Sequence, residues 1–171
     1  LAAHNTSGYQ LCQGASDGCR ASCLFKSGHG ATVNVEAGRV KRTRLYFEHR
    51  SVFCLALYAQ LERLNARKYS VAIRLNGTSD IAWEIKEPWI FSLFPLVQFY
   101  DYTKLGGRFD KILPHNYDLT FSLHEQNRTR ALELLGRGAN VAVVLEHLSD
   151  WLAHGQWSGF PILDGSADDR R

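Results

Sequence analysis

Three of the four cysteines fall within twelve residues, in Cys12-Gln13-Gly14-Ala15-Ser16-Asp17-Gly18-Cys19-Arg20-Ala21-Ser22-Cys23, and the glycine-rich Lys26-Ser27-Gly28-His29-Gly30 follows closely. Ser16 or Asp17 offers the side-chain oxygen that starts a helix, so a short helix is predicted from there to about Phe25. On such a helix Cys19 and Cys23 stand at i and i+4 on one face, and Cys12 approaches from the preceding loop. Thiols gathered in this way are stable when oxidised or when their thiolates share a cation. A metal is preferred here to the alternatives, which are one disulfide beside an unpaired thiol, or three small buried hydrophobes. The spacing C-x6-C-x3-C matches no common zinc finger. Three cysteines suffice to hold an iron–sulfur cluster with one iron left open, and adding His29 completes a closed zinc site; spacing alone leaves both readings standing.

At 171 residues, 45% of them apolar and 22% charged, the chain is long enough for one well-formed core. A single domain is expected: a cysteine- and glycine-rich metal segment over 1–38, βα units over 39–165, and a frayed polar end at 166–171. No apolar run approaches the roughly 18 to 20 residues that span a bilayer. The start, Leu1-Ala2-Ala3-His4-Asn5, lacks a basic region followed by an apolar core. A soluble, cytoplasmic protein without a membrane partner follows, and clustered cysteines suit a reducing compartment with a metal better than a secreted disulfide framework. The net charge of +3 is uneven, because Arg39, Lys41, Arg42 and Arg44 fall within six residues. Such a run is a candidate contact for nucleic acid or another anion. Its bland reading is a solvated helix start, where positive charge is mildly unfavourable.

From about Lys41 to Arg67, apolar residues recur at helical spacing and predict the longest helix, with Cys54 inside the stripe as a core residue. Short β-rich and helical runs then alternate: Ser70 to Leu75, Ile81 to Leu93, Leu96 to Asp101, Tyr117 to Ser122, Glu125 to Leu135, and Asn140 to Leu145. Strands separated by helices run parallel. Each strand has one greasy face: Val71, Ile73 and Leu75 in the first, Val97 and Phe99 in the second, Leu119, Phe121 and Leu123 in the third. The opposite faces are polar, which suits a lumen better than a sheet coated by helices on both sides. The expected fold is therefore α/β, a partial (β/α) barrel with parallel strands and an N-terminal cysteine-rich loop.

Sites in parallel α/β folds gather where strands finish. Here the finishes read Arg74-Leu75-Asn76-Gly77-Thr78-Ser79-Asp80, Tyr100-Asp101-Tyr102-Thr103-Lys104, Ser122-Leu123-His124-Glu125 and Asp164-Gly165. Taken singly these are ordinary turn and cap residues, with Ser79 or Asp80 capping the next helix and Ser122 capping the one at Glu125. Taken together they point to a pocket. His124 and Asp101 are candidates to move protons, with Lys104 and Asp80 beside them as catalytic residues. Arg74 and Lys104 are candidates to hold an anionic group, and Asn76, Ser79, Tyr102 and Ser122 to bind the substrate. His124 is expected to share the lumen face with Ser122 and Thr120.

The cysteine trio joined to Arg74-Leu75-Asn76-Gly77-Thr78-Ser79-Asp80 and Gln98-Phe99-Tyr100-Asp101-Tyr102-Thr103-Lys104 resembles the gp88-like bacteriophage and prophage proteins. The resemblance runs from Tyr9 to Gly165 and includes Leu119-Thr120-Phe121-Ser122 and Asn140-Val141-Ala142-Val143-Val144. It implies a phage protein working in the host cytoplasm, and it brings no catalytic residue with it. The family pattern continues past Asp164-Gly165 with a further strand and a glycine- and lysine-rich tail. A cysteine trio ahead of a half barrel is also similar to radical S-adenosylmethionine enzymes, which implies an open cluster at a barrel mouth and S-adenosylmethionine as a candidate cofactor. The spacing departs from their C-x3-C-x2-C. The expected function is a phage-type iron–sulfur or metal-dependent enzyme acting on a nucleotide or nucleic-acid-related substrate. The rival is a zinc-stapled, non-catalytic protein that grips nucleic acid or a host protein.

Overall fold

Pairing along the chain is strictly sequential. In the computed structural model, which describes residues 1–67 and 71–165, β1 (Ala72–Arg74), β2 (Gln98–Thr103), β3 (Tyr117–Ser122) and β4 (Val141–Ala142) form one sheet in that order. Every pair is parallel, with Ile73 opposite Phe99, Asp101 opposite Leu119, and Phe121 opposite Val141. Parallel neighbours require crossovers. Two short helices, α4 (Trp83–Lys86) and α5 (Trp89–Leu93), lie between β1 and β2, and α6 (Arg128–Gly136) lies between β3 and β4. The β2 to β3 crossover contains a 3-10 turn, Gly106–Asp110. The fold is thus mixed α/β around a four-stranded parallel sheet.

Alternation along the strands builds the core as expected. Phe99, Tyr117, Leu119 and Phe121 are buried. Phe91 of α5 meets Phe99 edge to face with ring centroids 5.2 Å apart, and Ala131 and Leu134 of α6 close over Phe121. Full burial of each such side chain is worth about 1.5–3 kcal/mol.

Upstream of the sheet the expected long helix is two. α2 (Val33–Glu48) and α3 (Arg50–Asn65) are separated by His49, whose φ of −139° and ψ of 56° leave the helical region. The apolar stripe crosses this break without interruption, so periodicity alone does not reveal it. Two contacts hold it: Arg50 Nε donates to Glu87 Oε1 at 2.7 Å, and the Tyr46 and Phe53 rings meet edge to face at 5.1 Å. On one straight helix, seven residues would separate those two by about 10 Å of rise. The basic run therefore lies in the middle of α2 instead of at a helix start. Cys54 is half-buried on α3, its thiol pushed up by burial and by Glu87. The predicted helix over Ile81 to Leu93 is likewise split at Pro88, which has no N–H to continue a helix.

The cysteine segment is not a plain loop. α1 (Asp17–Ala21) starts at Ser16, whose Oγ accepts from Cys19 N at 3.2 Å, and ends at Ser22, short of the expected Phe25. Cys23 lies outside it, with φ −62° and ψ 129°, and caps a separate 3-10 turn, Leu24–Lys26. Cys19 and Cys23 therefore do not share a helical face. His29 sits in a further 3-10 turn, Gly28–Ala31; its side chain, like residues 68–70 and 166–171, is outside the described part. Beyond the sheet, α7 (Leu148–His154) precedes a small antiparallel hairpin of β5 (Gln156–Trp157) and β6 (Phe160–Pro161). Its two-residue turn, Ser158-Gly159, has φ of 50° and 86°, as a type I′ turn requires.

Candidate functional site

All three clustered cysteines reach one pocket of about 350 Å³, and the C-terminal ends of β1, β2 and β3 line its other side. Cys12, Cys19 and Cys23 come from the N-terminal segment; Arg74, Tyr102, Lys104 and Ser122 come from the strands and their ends; Asn76, Ser79 and Asp80 contribute from the loop after β1. Strand parity explains the second group. Arg74, Tyr102 and Ser122 occupy the sheet face opposite Ile73, Phe99 and Phe121, which is the polar face the sequence marks out. The Arg74 guanidinium lies over the Tyr102 ring at 4.6 Å, and its Nε donates to Asn76 O at 3.1 Å.

The cysteine segment is fastened to all three strand ends. Asp80 N donates to Leu11 O at 2.7 Å, and Cys12 Sγ donates to Thr78 O at 3.5 Å. Gly14 presses against the end of β2, where an added Cβ would come within 2.9 Å of Lys104 Cβ and 3.2 Å of its carbonyl carbon. Gly18 N donates to Glu125 Oε1, beyond β3, at 3.2 Å.

Beneath the pocket lies a buried polar network, and several predicted site residues belong to it. Asn76, 1% exposed, accepts from Ser79 Oγ, Ile81 N and Trp83 Nε1, and donates through Nδ2 to Ile81 O and Asp101 Oδ2. Its amide is fully engaged in shaping the loop, so Asn76 is not poised to orient a substrate. Neither Ser79 nor Asp80 caps a helix; the residue before α4 is Ala82, which offers no side-chain cap. Asp80 instead accepts from Lys104 N at 2.8 Å and from Arg108 at 3.0 Å. Arg108, 4% exposed, forks onto Glu84 at 2.9 and 2.7 Å and also donates to Tyr117 Oη.

Asp101 is 1% exposed and points the other way from Tyr102, onto the core face with Phe99 and Thr103. It takes Asn76 N at 2.6 Å and Tyr117 Oη at 2.9 Å. Burial pushes its carboxyl up to about 7, against the donors that favour its ionised form. It is absent from the pocket wall. His124 is also absent from that wall: it follows β3 in a turn, half-buried, with Nδ1 accepting from Gln126 N and its own N–H donating to Asn127 Oδ1. Burial lowers its pKa, with Glu125 opposing and Lys104 reinforcing the shift. Asn127, not Ser122, precedes α6, and its Nδ2 donates to Ser122 O.

None of the four cysteines is in a disulfide. Among the described residues no three histidine, cysteine, aspartate or glutamate side chains stand together as a ready metal-binding group. Cys12 Sγ is turned to Thr78 O, and Cys23 Sγ accepts from Phe25 N at 3.5 Å. On α2, Arg39 donates to Gly30 O and lies over the Phe25 ring, Arg44 Nε donates to Ser7 O, and Lys41 and Arg42 are exposed. Sequence reading assigns no role to Arg108, Tyr117, Gly14 or Glu125. Of the four, only Glu125 lies in a strand end that the sequence marks out.

These features define a mixed α/β protein with a thiol-lined pocket at the C-terminal edge of a parallel sheet, and no described helix is long and apolar enough to cross a membrane. The chain belongs to the gene product 88 family, a phage-type family whose model matches residues 1–171. No curated protein and no solved structure matches it, and the likeness to radical S-adenosylmethionine enzymes finds no support in these comparisons.

Proposed function

We propose that the chain is a metal-dependent phage enzyme, working in the host cytoplasm, whose pocket holds an iron–sulfur cluster against a nucleotide or nucleic-acid-related substrate. The observation that carries the reading is that Cys12, Cys19 and Cys23, brought from three separate pieces of backbone, all line the pocket into which Arg74, Tyr102 and Lys104 also reach. In favour of the group are three sulfurs lining one pocket and no disulfide among them; against it, they do not stand grouped as a ready set of ligands. Loading requires Cys12 and Cys23 to rotate away from their present hydrogen bonds. A bound cluster supplies redox chemistry and, at an open iron, a coordination position of the kind S-adenosylmethionine would occupy. In the same pocket, Arg74, stacked on the Tyr102 ring, and Lys104 hold an anionic group, and the Ser122 hydroxyl supplies a hydrogen bond. His124, in the turn after β3, stays the candidate for proton transfer, while Asp101, Asp80 and Asn76 act by holding the floor in place. The sheet belongs, in this reading, to a partial (β/α) barrel, supported by its sequential strand order and by a pocket at the strands' C-terminal ends.

Anaerobic purification with iron, sulfide and zinc analysis tests this. Brown protein that keeps iron and sulfide in His29→Ala and loses them in Cys19→Ala supports the cluster. Colourless protein with one zinc, lost in both variants, establishes a zinc-stapled binding module instead. That second reading is favoured by one observation, the exposure of Lys41, Arg42 and Arg44 on α2, a surface suited to nucleic acid or an acidic host protein.

A further inference from the structure

A helix start leaves backbone N–H groups without partners inside the helix, and a capping box satisfies them with a serine at the cap and a glutamate three residues on. In α1 the cap is Ser16, but the third position after it is Cys19, so the chain has no local carboxylate to complete the box. Asp17 does not serve, being exposed and paired with Arg20. Glu125, 107 positions away in the sequence from Gly18, supplies a carboxylate from elsewhere in the fold to another first-turn N–H, that of Gly18. It accepts from Gly18 N at 3.2 Å, while Ser16 Oγ takes the Cys19 N–H. The fit is close: a Cβ on Gly18 would stand 3.0 Å from Glu125 Oε1.

We infer that Glu125 is a positioning residue, completing the cap of α1 from across the fold and so fixing the placement of Cys19 relative to the strand end that carries Ser122. The contact bridges the thiol wall and the strand wall of one pocket, at the β3 side. It sets where one of the three sulfurs stands before any metal arrives. It does not touch the pocket contents itself. The inference takes its functional meaning from the proposed cluster site but stands on contacts within the protein alone, so it is measured without metal.

The test separates reach from charge in reduced, metal-free protein. Glu125→Gln keeps the length and one acceptor oxygen but loses the charge; Glu125→Asp keeps the charge but is one methylene too short. Alkylation of each cysteine by iodoacetamide is followed by peptide mass spectrometry, with Cys54 as the internal monitor of folding. Loss of one helix cap corresponds to about fivefold more opening of the segment, so Glu125→Asp is expected to raise the Cys19 rate about fivefold over Cys54. Glu125→Gln is expected to stay near wild type. Equal rates in all three proteins, a rise in both variants, or a rise in Glu125→Gln alone overturns the inference. A chain that alkylates as expected yet never holds iron or zinc defeats the proposed function and leaves this positioning role standing.

Discussion

Replacing Asn76 by alanine isolates the question of whether the loop after β1 is a binding element or a buried joint. The side chain is the shared acceptor for Ser79 Oγ, Ile81 N and Trp83 Nε1, at 2.8, 3.0 and 3.1 Å, and it donates to Asp101 at 3.0 Å. In Asn76→Ala the Ser79 hydroxyl is able to turn elsewhere, but the Ile81 N–H and the Trp83 indole N–H are left buried and unpaired. Each such orphan costs about 1–3 kcal/mol, which places the total near ~4 kcal/mol with the lost Asp101 contact included. Against a typical stability of about 5–15 kcal/mol for a domain, that is a large loss. Urea unfolding followed by tryptophan fluorescence is the assay, with Trp83 inside the network as reporter and an unchanged m-value as the check that only the midpoint moves. Ser79→Ala is the control. It removes one donor from an acceptor that keeps two others, and is expected to cost about 1 kcal/mol or less. Asn76→Ala within about 1 kcal/mol of wild type, or Ser79→Ala as damaging as Asn76→Ala, would refute the assignment of Asn76 as the joint of the floor.

Arg108→Ala strips the only cation that the structure places against the buried carboxylates of Asp80 and Glu84 among the described residues, and is expected to cost about 3–5 kcal/mol in the same assay. Asp101 makes stability pH-dependent: the folded chain keeps its proton up to about 7 whereas the ordinary value is 3.8, so the native state binds more protons in between and stability falls as pH rises through that window. The slope is up to about 1.4 kcal/mol per pH unit, and denaturation midpoints between pH 4 and pH 8 should show it in wild type but not in Asp101→Asn. Lys41→Ala with Arg42→Ala should leave the midpoint within about 0.5 kcal/mol, because both side chains are exposed. If the protein shows salt-dependent retention on a nucleic-acid column and the double variant elutes unchanged, α2 is not the contact surface.

Much of the sheet was legible because burial imposes period two on a strand whatever surrounds it. Tyr117–Ser122 stands where the alternation of Leu119 and Phe121 puts it, and β2 both starts and ends two residues later than expected. The helices were less legible wherever a tertiary contact cuts a continuous apolar stripe. The break at His49 involves no glycine or proline and is held by Glu87, a residue distant in sequence, so no local pattern announces it. The cysteine helix was expected from its serine cap and is there, but it ends at Ser22, whose Oγ and N–H both bond Gly18 O. Helical spacing thus gave the wrong reason for Cys19 and Cys23 meeting at one pocket. They meet because the segment is tied to three strand ends.

Side-chain parity also divides the polar strand ends into two groups with different work, a division that composition conceals. Residues of even number at the end of β2 and β3, Tyr102 and Ser122, continue the polar face and reach the pocket; Asp101 and Thr103, equally polar, fall on the core face and are buried. Asp101 was therefore misplaced by its type and could have been placed by its neighbours, since it lies two residues after Phe99. The loop after β1 obeys neither rule, because alternation stops with the strand: Asn76 has the same parity as Arg74 yet folds inward onto Asp101. A buried amide and carboxylate at this joint fix the floor on which Asp80 receives Lys104 N, and through it the backbone from which the Lys104 ammonium extends. The placement of the pocket's cations is thus set by buried polar residues at its floor, while the placement of its thiols is set by Gly14, Thr78 and Glu125.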